Sequence, residues 1–191
     1  LDDPDNDVRR AAVEALAWQG APECVEPLVV RPWDDDPTVN GARLEALASL
    51  ATRCGWDAVQ AHADAMPEGP AADIVSAALA ARSGATSALL AALRDGDEAL
   101  RHGAGAMLAA LPEAAANCAE AIASVLQDNP GVDSQRGAVA ALGSAGEDGV
   151  ELAAELLASD DWQHRCCGAM ALAAAGPAAA EALRCTEAFR A

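Results

Sequence analysis

The sequence predicts an all-α protein, an α-α superhelix or solenoid of about six helix-turn-helix units. Three observations carry that expectation. A leucine anchor recurs at Leu16, Leu47, Leu79, Leu108, Leu142 and Leu172, at spacings of 31, 32, 29, 34 and 30 residues. Alanine supplies 52 of the 191 residues, whereas Leu, Ile, Val and Phe together supply 35. Tyr is absent and aromatic residues total 3%, which argues against the aromatic and β-branched strands of sandwiches and barrels.

Each anchor belongs to the first helix of a unit. One position before it stand Ala15, Ala46, Ala78, Met107, Ala141 and Ala171. Five positions before it stand Ala11, Ala42, Ile74, Gly103, Gly137 and Cys167, and eight before it Val8, Val39, Ala71, Leu100, Ser134 and His164. Offsets of −8, −5 and −1 lie on one face of a helix.

Five first helices open after acidic or Pro-containing turns: Asp2–Asp7, Asp34–Pro37, Arg94–Glu98, Asp128–Asp133 and Ser159–Asp161. The six first helices close near Gly20, Gly55, Gly84, Pro112, Gly146 and Gly176, matching the preference for Pro early in a helix and Gly just past its end. Second helices follow over Pro22–Val30, Trp56–Ala65, Ala85–Leu93, Glu113–Leu126, Glu147–Ala158 and Pro177–Phe189. The approximate units are 1–30, 31–65, 66–93, 94–126, 127–158 and 159–191, in a single domain. Unit 66–93 lacks both the acidic turn and its arginine.

The segment Asp-Pro-Asp, then Val-Arg-x-Ala-Ala-x-x-Ala-Leu-x-x-x-Gly, resembles the short HEAT-like repeat, also called the phycobilisome-lyase type. Leu1–Gly20 matches it closely; Ser159–Gly176 matches with Arg165 in the place of Arg9 and Cys167 in the place of Ala11. The resemblance implies that second helices line a concave face, roughly 50–60 Å long at ~10 Å per repeat. It also implies, as the alternative to an interaction scaffold, a tetrapyrrole (bilin) lyase-type enzyme or a regulatory subunit of an enzyme complex.

Few large apolar residues and a net charge of −18 are a compositional flag for disorder. Periodicity outweighs it. Alanine is the best helix former, small side chains let helix axes approach closely, and stacked units bury their faces against neighbours rather than in one large core. The charge argues against duplex DNA and anionic membranes, whose contacts need clustered cations. Six cysteines in no CxxC pair and no apolar run long enough for a membrane helix suit reduced thiols in a cytoplasm. Because Leu1 falls inside a turn motif, sequence upstream of it, in a longer chain or assembly, is expected.

Fourteen of the 30 acidic residues fall in the five turns, where N-capping is the expected role. Asp3, Asp5, Asp7 and Glu14 have EF-hand-like spacing, but Val8 stands where the sharp turn needs Gly. Arg9, Arg101 and Arg165 share one slot, suggesting Arg–Asp contacts between consecutive turns. His164 with Cys166, Cys167 and Cys185 forms a thin metal candidate, since His164 and Cys167 occupy packing positions. Neither a cofactor nor a metal is predicted, and no catalytic constellation is found.

The acidic residues of the second helices are the candidate partner-binding set: Glu23, Glu26, Asp57, Asp64, Glu113, Glu120, Glu151, Glu155 and Glu181. They predict a non-catalytic scaffold or adaptor whose partner is another protein with a basic segment, steered by charge. Trp33 and Trp162, in or beside acidic turns, are the tryptophans with the least obvious core role.

Overall fold

The computed structural model describes residues 1–129, 135–177 and 179–180, and among these it contains helices and no strand. Twelve α-helices are described. Six are the expected first helices: α1 Asn6–Gln19, α3 Pro37–Cys54, α5 Pro70–Ala81, α7 Glu98–Ala109, α10 Arg136–Ser144 and α12 Trp162–Ala175. The others are α2 Val25–Val29, α4 Trp56–Ala63, α6 Ser87–Asp95, α8 Pro112–Ala116, α9 Ala119–Asp128 and α11 Gly146–Leu157.

The caps explain where the helices start. Asp5, Asp36, Asp97 and Asp161 each accept a hydrogen bond from a backbone N–H of the first turn, satisfying donors that have no partner within the helix. The C-terminus of α1 is closed from two sides. Gly20 adopts φ 67° and donates its N–H to Leu16 O, while Arg53 Nη1 donates to the Ala17 and Trp18 carbonyls at 3.3 and 3.2 Å.

Helices α1, α3, α7, α10 and α12 pack in succession, each on the next. A second series, α2, α4, α5, α6, α9 and α11, runs beside them. Leu47, Leu108, Leu142 and Leu172 are buried between the two series. The expected register is therefore corrected at unit 66–93: α5 packs on α4, α6 and α7, while α3 packs directly on α7. The reason is steric. A Cβ added at Gly103 of α7 would lie 2.2 Å from Leu44 Cδ1 of α3, so no helix fits between them. Accordingly Leu79 of α5 is half-buried where four other anchors are buried.

Two second helices also differ from expectation. Pro22–Cys24 forms a 3-10 turn ahead of α2, because Pro27 has no N–H to offer the Glu23 carbonyl and is tolerated only in a first turn. The expected helix Glu113–Leu126 is broken between α8 and α9. Cys118 leaves helical geometry at φ −130° and ψ 21°. Its thiol, rather than its N–H, donates to Ala114 O at 2.9 Å, a side chain competing with the helical ladder. The expected helix Pro177–Phe189 lies largely outside the described residues.

Candidate functional site

Arg9, at the start of α1, reaches across to the turn before α3 and binds Asp34 with two hydrogen bonds, Nε–Oδ2 at 2.9 Å and Nη2–Oδ1 at 2.8 Å. Both side chains are largely covered, at 13% and 17% exposure. Arg9 also donates to the carbonyls of Asp3 and Pro4 in its own turn. Arg101 and Arg165 donate to the carbonyls of their own turns, Gly96 and Ser159–Asp160 respectively. The shared job of the slot is thus to hold the chain entering its own helix, and the expected Arg–Asp rung between turns is described at Arg9. Asn40 stands seven residues before Leu47, as Arg9 does before Leu16, and does the same job. Its amide donates to Asp34 O at 2.9 Å and accepts from Asp34 N at 2.8 Å. The recurring arginines do not mark Asn40; its distance from the anchor Leu47 does.

Asp36, the cap of α3, accepts from the Thr38 hydroxyl, from the Asn6 amide and from the Thr38 N–H. Those donors favour its carboxylate and lower its pKa from 3.8 to about 2. Asp34 is also lowered, chiefly by the hydrogen bond from Arg9. A folded-state pKa below the unfolded one adds stability above the unfolded value that is lost as pH falls through the folded value. The thermal midpoint, followed by circular dichroism, is expected to fall as pH drops from about 4 to about 2. Asp36→Asn, which keeps a capping side chain, should flatten part of that fall; an unchanged pH profile would contradict the assignment.

The EF-hand-like carboxylates do not converge. The Asp3 and Asp5 side chains accept from the backbone N–H groups of Asp5 and Asp7, and Glu14 lies along α1 beside Arg10. His164 has both ring nitrogens engaged: Nε2 donates to Gln127 O and Nδ1 accepts from the Ser159 hydroxyl, each at 3.1 Å. Cys185 lies outside the described residues. Among the described residues no group of three or more His, Cys, Asp or Glu is placed to hold a metal ion, and no helix is long and apolar enough to cross a membrane.

The second helices carry an acidic groove, of about 660 Å³, between α6, the α8–α9 break and α11. Glu120, Glu151 and Glu155 of the predicted set line it, and Asp148 joins them. Asp148, Glu151, Leu152 and Glu155 recur at i, i+3, i+4 and i+7, one face of α11. Leu90 and Leu152 give the groove an apolar part, and none of the described residues lining it is basic. Burial pushes the Cys118 thiol up, so it stays protonated rather than becoming a nucleophilic thiolate.

Glu23, Glu26, Asp57, Asp64 and Glu113 are exposed but lie outside this groove, and Asp57 pairs with Arg82 at 3.4 Å. Glu181 lies outside the described residues.

Neither a protein-family model nor a curated protein matches this sequence.

A second hollow opens on the side of the first helices. Arg136 of α10 lines the same space as Glu14, Ala17 and Trp18 of α1, although α3 and α7 stand between these helices in the packing order. The series therefore curves inward on this side. His102 Nε2 donates to Glu45 Oε2 at 3.0 Å across the hollow's floor. This bond, with Arg136 nearby, holds the Glu45 carboxyl below its ordinary range. Trp33, beside an acidic turn, packs against the core, and Trp162 is 64% exposed. Among the described residues Trp18 is the most open of the exposed large apolar side chains, at 80%.

Proposed function

We propose that the chain is an α-solenoid of HEAT-like repeats and serves as a non-catalytic scaffold that holds a basic segment of another protein. Support for the repeat architecture comes from the two parallel helix series and from the recurring turn-holding slot at Arg9, Asn40, Arg101 and Arg165. The third unit adds both of its helices to the second series.

The observation that carries the function is the acidic groove between α6, α9 and α11. Four carboxylates share one space with no basic side chain among its described lining residues, and leucines lie beside them. Such a site repels acidic chains and steers cationic ones, while the leucines receive the aliphatic stems of Arg or Lys. A chain of net charge −18 favours the same partner at long range, with an attraction that salt screens.

The test is binding of a fluorescent arginine-rich peptide, followed by anisotropy at several salt concentrations. The wild type should bind more weakly as salt rises. Glu120, Glu151 and Glu155 together changed to Arg should lower affinity at least about 10-fold and flatten the salt dependence. All three side chains are exposed, so the helical circular dichroism should be retained. Equal affinity and equal salt dependence in the variant would sink the proposal.

A further inference from the structure

We propose that the hollow on the first-helix side is the interface through which two copies of this chain pair about a two-fold axis, each seating its Trp18 in the hollow of the other. The floor of the hollow follows α3 at Thr38, Ala42, Glu45, Ser49 and Arg53. At 1.5 Å per residue the stretch from Pro37 to Arg53 is about 24 Å long. Gly41, Ala42 and Ala46 keep it low, which leaves room for a large side chain from outside. Trp18 stands at one end, 80% exposed, held by a helix terminus that Arg53 closes.

Charge selects the occupant. Two copies at −18 repel over most of their surface and approach best where charge cancels. The hollow is such a place. It consists of two adjoining pockets that share Glu14, Ala42, Glu45 and Arg136; Arg53 lines the one with Trp18, and Arg10 and Glu98 line the other, so that three guanidiniums face three carboxylates across the pair. A two-fold contact sets one patch against itself and so needs both signs in balance. A basic segment would meet Arg53 and Arg136 here, and an acidic one Glu14 and Glu45; a second copy satisfies both sets. An exposed tryptophan that becomes covered at the centre of an interface is the kind of side chain that dominates binding energy.

This inference is independent of the acidic groove, which lies on the second series of helices. Sedimentation velocity of the 191-residue chain, over about 1 to 100 μM, reads it directly. The wild type should form a dimer. Trp18→Asp should weaken it by about 30-fold or more, the effect of losing a hot-spot side chain. Arg136→Glu, which unbalances the patch, should weaken it too. Trp162→Asp, at an exposed tryptophan that does not line the hollow, should leave it intact and serves as the control. A chain that stays monomeric throughout overturns the proposal. So does a dimer that survives Trp18→Asp or dissociates with Trp162→Asp.

Discussion

Gly105→Ala is expected to destabilise the chain by about 3 kcal/mol or more, the upper end of what overpacking costs. The added Cβ would lie 2.2 Å from the Gly137 carbonyl carbon and 2.5 Å from its Cα and O. These are backbone atoms of α10, so no rotamer change relieves the clash; α7 and α10 must move apart. That contact sits in the middle of the packing order α3, α7, α10, α12, and parting it loosens the helices on either side. The matched control is Gly41→Ala in α3. There a Cβ meets His102 Cδ2 at 3.6 Å and Ala99 Cα at 3.8 Å, ordinary contact distances. Replacing a helix-interior glycine then stabilises by roughly 0.5–1 kcal/mol. Urea titration of the two variants should move the midpoint in opposite directions. A Gly105→Ala chain as stable as wild type would mean that α7 and α10 do not pack this closely.

The same close contacts mark the line between what the sequence reveals and what it hides. Anchors, caps and helix starts are local: Asp36 caps α3 because it stands two residues before the N–H it accepts. The row of first helices was legible wherever that local pattern is complete. It failed at α5, whose position depends on Gly103 meeting Leu44 from a helix 59 residues away, a contact no period records. The α8–α9 break is hidden for a related reason. Neither Asn117 nor Cys118 is a Gly or Pro, and the break is recorded in where one thiol hydrogen bonds.

At the acidic groove, three of the nine predicted acidic residues come together, and the rest are spread along other helices or lie outside the described residues. Asp148 was legible by helical spacing from Glu151 and Leu152. Trp18 was legible as well. It stands two residues after the anchor Leu16, about 200° around the helix and so on the side away from the anchor face. Trp33, beside an acidic turn, packs against the core.

Arg43→Met is expected to cost about 2–4 kcal/mol, the loss of two hydrogen bonds from a charged donor to partly covered carbonyls. Arg43 is 5% exposed and belongs to the body of α3. Its guanidinium donates to Pro32 O at 2.7 Å and Arg31 O at 2.6 Å, carbonyls at the point where the chain leaves α2 and heads for the acidic turn. No helix continues there to supply N–H groups. Burial pulls the Arg43 pKa below its ordinary value, and the nearby Asp34 carboxylate opposes that pull. The charge survives in a covered place because Asp34 and the two carbonyls face it together. Methionine fills similar space without any donor, so its effect isolates the hydrogen bonds from the packing. The loss should also reach Asp34, which Arg9 binds from the other side, so the Arg9→Ala and Arg43→Met effects should be non-additive. A double-mutant cycle by urea unfolding measures that coupling. Strict additivity would mean that α1 and α3 are held by separate contacts, rather than by one network through the turn at Asp34.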